Sequence, residues 1–385
     1  MHLVHILLTL VVASACLVHG EISLDNTETC SESTCQDNVK SHHKQQDKYL
    51  QKPKVILYWT TFYGHRDFEF GLGQQPFKDA GCPVTNCIAT DDPSQSEEAD
   101  ALMFHMRNVA QQTPYPKKRS PHQRYVFFLL EHPYHQWNDL RPFNGFFNLT
   151  MTYRRDSDIF LPYGMTEKGK SKADVTPVKK QRKLVAWFVS NCQSHSKRED
   201  YVKELQKYIP VDVYGQCGPL KCPPDTTQYH TIRMWPSCYT MLEENYKFYI
   251  SFENNFCRDY VTEKMYNILK LNVVPIVLGG TDYSRDAPPN SVINIQDFDS
   301  PKQLSEYLIE LDKNEDKYLE YFKWKHEYKV VTGKPFQEAF CRLCEILNDP
   351  DYPHQNHDDL DEWWGKEKYC DVNKMSKLKQ KWKVK

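Results

Sequence analysis

Apolar residues along this chain fall into short continuous runs rather than strict alternation. In the first half these are Val55-Ile56-Leu57-Tyr58-Trp59, Ala101-Leu102-Met103-Phe104 and Tyr125-Val126-Phe127-Phe128-Leu129-Leu130. Runs this short predict strands buried on both faces, as in a parallel sheet. In the second half such runs alternate with helical stretches. Strands are predicted at 184–189, 211–214, 246–252, 273–278 and 292–295, and helices at 198–208, 262–270 and 302–313. Residues 246–278 then make one βαβ unit ended by Gly279-Gly280. Ser300-Pro301-Lys302-Gln303 opens the last of these helices: Ser300 is the N-cap, Pro301 takes the first helical position and Gln303 completes a capping box. Repeated βαβ units predict an α/β fold with open, doubly wound parallel sheets.

An apolar stretch of 16 residues, 3–18, precedes all of this and falls short of the roughly 20 that a bilayer-spanning helix needs. Ala13, Ser14, Ala15 and Gly20 suit a signal-peptidase cut, so 1–20 reads as a signal peptide or a short signal-anchor; either one delivers the chain to a lumen. Residues 21–52 are too polar for a core and read as a flexible stem. A length of 385 residues accommodates two further domains. We place them at 53–165 and 183–340, with a Lys-rich linker at 166–182 between them and a C-terminal segment at 341–385. Lys+Arg (49) balances Asp+Glu (51), which removes the electrostatic reason to expect a nucleic-acid partner. Of 13 cysteines, Cys16 lies in the leader. The others form an even set behind a secretory signal, which predicts disulfides. Asn148-Leu149-Thr150 makes Asn148 a candidate glycosylation site.

Two loops at the carboxyl ends of predicted strands carry the densest polar chemistry, and open α/β sheets bind ligands at that edge. The first is Phe252-Glu253-Asn254-Asn255-Phe256-Cys257-Arg258-Asp259-Tyr260-Val261-Thr262-Glu263-Lys264. It runs into a helix whose free N–H groups and positive dipole end suit a phosphate. Lys264 adds a full charge there, and Glu253 and Glu263 can accept from sugar hydroxyls. The second is Ser190-Asn191-Cys192-Gln193-Ser194-His195-Ser196-Lys197-Arg198, with small hydroxyls and an arginine able to grip a pyrophosphate bidentately. On residue type alone, the first loop is equally a helix start with solvated charges. No Gly-x-Gly-x-x-Gly or Gly-x-x-x-x-Gly-Lys-Ser/Thr pattern is present, which argues against a dinucleotide oxidoreductase or a P-loop enzyme. Glu131 emerges from the run 125–130 at a sheet edge, as a surface carboxylate or a general base. His132 and His135 have metal-pair spacing, but Pro133 breaks the helix such a pair needs, so solvated loop histidines are expected.

A family resemblance sharpens these alternatives. Tyr249-Ile250-Ser251-Phe252-Glu253-Asn254, Asp259-Tyr260-Val261-Thr262-Glu263-Lys264, Val273-Val274-Pro275-Ile276-Val277-Leu278-Gly279, Val185-Ala186-Trp187-Phe188-Val189-Ser190-Asn191 and Phe147-Asn148-Leu149-Thr150-Met151-Thr152-Tyr153-Arg154-Arg155-Asp156-Ser157-Asp158 resemble the motifs of the family 10 α1,3-fucosyltransferases over residues 54–345. The resemblance implies a GT-B type fold, two Rossmann-like domains with parallel sheets facing a cleft. It implies inverting transfer of L-fucose from GDP-fucose to a GlcNAc hydroxyl of a glycoprotein or glycolipid glycan. No metal or other cofactor is implied. The setting would be the Golgi lumen or membrane, or the exterior if the leader is cleaved, with membrane contact only through the N-terminal segment.

By motif match, Arg198 and Lys264 would hold the pyrophosphate. Ser190, Asn191, Glu253, Asn254, Tyr260, Thr262 and Glu263 would complete the donor site, with Tyr153 and Arg154 reaching it from across the cleft. Glu131 falls where the family carries its general base. Phe104-His105-Met106-Arg107-Asn108 resembles the acceptor motif, which makes His105 and Arg107 acceptor-binding candidates. Met106 and Asn108 depart from that motif, so core and antennary GlcNAc both stay open. The resemblance also implies that Cys341 and Cys344 pair with Cys82 and Cys87, and Cys192 with Cys238; Cys217 with Cys222 is a further local pairing. Two rivals stand beside this reading: a glycan-binding protein on a decayed transferase scaffold, and a transferase for another sugar nucleotide. Intact Glu131, Arg198, Glu263 and Lys264 argue against decay.

Overall fold

A computed structural model describes residues 52–109, 113–135, 139–171, 182–222 and 236–382. The leader, the stem up to 51 and residues 172–181 of the expected linker lie outside these. No helix among the described residues is long and apolar enough to cross a membrane.

Two parallel sheets carry the fold. The first contains β1 (Lys54–Tyr58), β2 (Cys87–Thr90), β3 (Ala101–His105), β4 (Arg124–Leu129), β5 (Leu149–Thr152) and β6 (Ile159–Phe160). Their order is β2-β1-β3-β4-β5-β6, with every neighbouring pair parallel. After β7 (Met165–Lys168) comes the second sheet, formed by β8 (Lys183–Phe188), β9 (Val211–Tyr214), β10 (Tyr246–Phe252), β11 (Val274–Leu278) and β12 (Ile293–Asn294). Its order is β12-β11-β10-β8-β9, again all parallel. Counted from its own first strand, the second sheet repeats the 2-1-3-4-5 order of the first. In such sheets the order reverses beside the first strand, and the crossovers on either side of that point part to open a crevice at the carboxyl ends. The reversal lies between β1 and β3 in one lobe and between β8 and β10 in the other. Every residue of β3, β4 and β11 is buried, which is why these strands read as unbroken apolar runs.

The chain crosses between the lobes more than once. β13 (Tyr328–Val331) pairs antiparallel with β7, so the stretch expected to be a linker begins as a strand. Helix Lys334–Asn348 then buries Ala339, Phe340, Leu343 and Ile346 in the core of the first lobe, and Phe340 stacks on Phe70 with ring centroids 4.3 Å apart. Cys341 bonds Cys82 and Cys344 bonds Cys87. Closing the first of these loops removes roughly 5 kcal/mol of unfolded-chain entropy, and the second, adding only a short extra loop, removes much less.

Three sequence expectations need correction here. Cys192 bonds Cys217, and Cys222 bonds Cys238, in place of Cys192–Cys238 and Cys217–Cys222. The Cys217 amide donates to the Val189 carbonyl at 3.2 Å, which seats Cys217 against the end of β8 beside Cys192. A further bond, Cys257–Cys370, ties the loop after β10 to the C-terminal segment, whose Met375 and Trp382 pack into the second lobe. Asn148 is fully buried: Oδ1 accepts from the Tyr125 amide at 2.8 Å, and Nδ2 donates to Gln355 O at 3.0 Å and Asn356 Oδ1 at 2.8 Å. An amide nitrogen with both hydrogens engaged inside the protein does not carry a glycan in the folded state. The capping box at 300–303 is also shifted. Ser300 accepts from Gln303 N as expected, but the Gln303 side chain accepts from Asp299 N.

Candidate functional site

On the second lobe, the crevice is built by the loop leaving β10. Glu253 turns inward at the strand end, is 1% exposed, and accepts from Thr262 N at 2.8 Å and Thr262 Oγ1 at 2.9 Å. Thr262 in turn caps helix Glu263–Leu269. Lys264 Nζ lies 2.9 Å from Thr262 Oγ1, 3.1 Å from Glu263 Oε1 and 3.4 Å from Glu253 Oε2. Burial pulls the Lys264 ammonium down, but the Glu253 and Glu263 carboxylates more than offset it and hold the group above its ordinary value. Burial pushes the Glu253 carboxyl up. Arg198, 4% exposed, donates from Nη1 to the Phe252 carbonyl at 2.5 Å, while its Nε has no hydrogen-bond partner in the described structure. The loop after β11 closes against this one at Gly280, where a Cβ would stand 2.4 Å from the Cys257 carbonyl oxygen.

On the first lobe, the site follows β4. Glu131 Oε1 accepts from the Tyr63 hydroxyl at 2.9 Å, and Oε2 lies 2.8 Å from His135 Nδ1. Burial pushes the Glu131 carboxyl up, but the bonds from His135 and Tyr63 outweigh it and bring it to about 2, so the group is ionised. Pro133–His135 forms a 3₁₀ turn, in which side chains three apart eclipse. Pro133 therefore prevents an α-helix yet brings the His132 and His135 rings to 4.1 Å between centroids. The expectation of solvated histidines is wrong for His132, which is fully buried. Burial, and then the neighbouring His135, bring its imidazole down to about 2, so it is neutral. Glu131, His132 and His135 form a group, among the described residues, whose geometry allows a metal ion: one ligand atom from each lies within 4.8 Å of the others.

A cleft of about 500 Å³ separates these two edges, a volume suited to a small ligand. Tyr63, Arg107, Glu131 and Tyr163 line it from one lobe, and Asn254, Tyr260, Glu263 and Lys264 from the other. Other predicted site residues do not line it. Arg198, Glu253 and Thr262 are buried beneath it, and Ser190 and Asn191 are exposed outside it.

Tyr153 and Arg154, expected to reach a donor directly, do not line the cleft. Tyr153 packs on Tyr260 and Trp364 with centroids at 5.0 and 5.6 Å. The Arg154 guanidinium lies 4.4 and 3.8 Å from the Trp363 and Tyr369 ring centroids, bonds the Trp363 carbonyl and pairs with Asp156 at 2.6 Å. His105 is also buried, with Nδ1 held 2.5 Å from Asn108 Oδ1, and burial brings its imidazole down to about 4. Asn108, a departure from the acceptor motif, also accepts from Tyr63 N at 3.3 Å, so the motif positions the Tyr63 loop.

Sequence reasoning missed Tyr63 and Tyr163, whose hydroxyl donates to Leu130 O at 2.6 Å. The signal for Tyr63 is its place in the loop after β1, the strand beside which the order reverses.

Residues 51–164 match the family model described as fucosyltransferase, N-terminal, and residues 178–363 match glycosyltransferase family 10 (fucosyltransferase) C-term. The chain is 37% identical to Alpha-(1,3)-fucosyltransferase C of Drosophila melanogaster over 360 residues, 86% of this chain and 81% of that one. It is 39% identical over 274 residues to the Homo sapiens 4-galactosyl-N-acetylglucosaminide 3-alpha-L-fucosyltransferase FUT6, covering 69% and 72% of the two chains. In fold it is similar to a crystal structure of an α1,3-fucosyltransferase with GDP-fucose, with a TM-score of 0.50 and 17% identity over 80% of this chain and 94% of that one. With both halves matched in order and the relatives covered over most of their length, the chain belongs to glycosyltransferase family 10, the fucosyltransferases.

Proposed function

We propose that this chain transfers L-fucose from GDP-fucose to a GlcNAc hydroxyl of a glycan, in α1,3 linkage and with inversion at the anomeric carbon. The observation that carries this reading is a single cleft holding an ionised carboxylate, Glu131, on one lobe and an ammonium, Lys264, on the other. The nucleotide diphosphate sits on the second lobe. Lys264, with Arg198 beneath it, offsets the negative charge that grows on departing GDP, while Asn254, Tyr260 and Glu263 contact ribose or fucose. On the first lobe the acceptor hydroxyl replaces the Tyr63 hydroxyl at Glu131 Oε1. It gives its proton to Glu131 as its oxygen attacks the anomeric carbon, and the bond to GDP breaks on the opposite face. Arg107 orients the acceptor. The two cations serve in place of a metal at the pyrophosphate.

The relatives' names support the linkage, and the human relative's name supports a GlcNAc acceptor. Five disulfides among the described residues support an oxidising compartment, which we take to be the Golgi lumen.

The test is GDP release by the purified protein with GDP-fucose and a panel of N-glycan-core, antennary and glycolipid acceptors, with the product linkage read by NMR. We expect acceptor-dependent release, an α1,3-fucosylated GlcNAc and full activity in EDTA. Equal use of another nucleotide sugar, or release with no acceptor on the panel, overturns the substrate reading. Complete loss in EDTA overturns the metal-free scheme.

A further inference from the structure

His135 braces Glu131 in the transfer scheme, but that scheme gives no part to His132 or His195, which stand beside it. His132 is fully buried; its Nδ1 lies 3.3 Å from the Asn255 side-chain amide, and its Nε2 has no hydrogen-bond partner in the described structure. A buried polar atom left unbonded calls for an explanation such as an ion. One ligand atom each from Glu131, His132 and His135 lies within 4.8 Å of the others. The ligand atoms of a tetrahedral zinc stand roughly 3.3 Å apart, so an ion binding here would draw the three groups closer by up to about 1.5 Å. A third imidazole, exposed His195, arrives from the opposite lobe with its ring centroid 6.1 Å from that of His132 and 6.4 Å from that of His135. Imidazoles with one carboxylate suit Zn²⁺ and its late first-row neighbours rather than Mg²⁺ or Ca²⁺.

We propose that Glu131, His132 and His135, closed by His195, form a site for Zn²⁺ or a similar late divalent cation, which competes with the acceptor hydroxyl for the Glu131 carboxylate and so inhibits transfer. The binding is independent of the function proposed above, whereas the inhibition rests on Glu131 acting as the base.

Two probes on the whole protein separate these parts. Co²⁺ absorption in the visible range reports the site itself, and acceptor-dependent GDP release at rising Zn²⁺ reports inhibition. In the wild type we expect visible Co²⁺ bands, Zn²⁺ inhibition competitive with the acceptor, and recovery on adding EDTA. His132→Asn keeps basal turnover, loses the bands and needs on the order of 100-fold more Zn²⁺ for the same inhibition, at least what loss of an outer-shell partner costs. Thermal melting of that variant checks that it folds; His195→Ala, at an exposed position, gives a second reading through a several-fold weaker Co²⁺ affinity. No bands in the wild type, or equal bands or equal inhibition in wild type and a folded His132→Asn, overturns the site. Bands that vanish in the variant without any Zn²⁺ effect on wild-type transfer leave the site standing and count against Glu131 as base.

Discussion

The two lobes share one strand order and one topological crevice but furnish it with opposite chemistry. In the second lobe the edge is a braced cation: Lys264 is held by Thr262, Glu263 and Glu253, and Arg198 lies under the end of β10. In the first lobe the edge is a braced anion, Glu131, between Tyr63 and His135. The bracing also differs in kind. Lys264 is fixed by its own short loop and helix cap, within a stretch of a dozen residues. Glu131 depends on groups drawn from different strand ends, with Tyr63 after β1, Asn108 after β3 and Tyr163 after β6. A local device can be read in one motif, while an assembled one needs the fold.

This contrast is open to direct attack. Its largest consequence is for Glu131→Gln, for which we expect turnover to fall by roughly 10³-fold, the usual worth of a positioned general base. Substantial retained turnover removes Glu131 from that role. Next comes Lys264→Ala. A charged hydrogen bond is worth about 1.5–3 kcal/mol, so GDP-fucose affinity should drop by roughly 10- to 100-fold in a titration. Unchanged donor affinity leaves the cationic edge without its purpose.

Thr262→Val tests whether the cap and the Glu253 bonds are what hold Lys264 in place. We expect a loss of about 1 kcal/mol in unfolding stability together with a several-fold weaker donor affinity. A stability loss with donor affinity intact would show the bracing to be structural only. The smallest effect is for Tyr63→Phe. Removing the hydroxyl that occupies Glu131 Oε1 removes a competitor for the acceptor, so acceptor KM should fall by up to about 5-fold with donor affinity unchanged. A rise in acceptor KM means that Tyr63 binds the acceptor instead of yielding to it.

Much of the second lobe was legible in the sequence for the reason just given. Buried parallel strands write themselves as apolar runs, and the 252–264 loop states its donor chemistry in consecutive residues. The rest was hidden wherever position is set by distant chain. Arg154 looks like a ligand in its motif, but Trp363 and Tyr369, more than 200 residues further along, enclose it. Asn148 fits a sequon, but it spends its amide on residues 355 and 356. Cys192 has several partners in reach by sequence, and it bonds Cys217, whose amide donates to the Val189 carbonyl at the end of β8. Pro133 was read correctly as an α-helix breaker, and the error lay in the step from no helix to no alignment, since a 3₁₀ turn aligns residues three apart.

The division of labour between the lobes is tested most directly by GDP calorimetry on four proteins: wild type, Glu131→Gln, Lys264→Ala and the double variant. We expect wild type and Glu131→Gln to bind GDP alike, and the two proteins lacking Lys264 to share one weaker affinity. If Glu131→Gln weakens GDP as much as Lys264→Ala does, the lobes do not divide the reaction and the account fails.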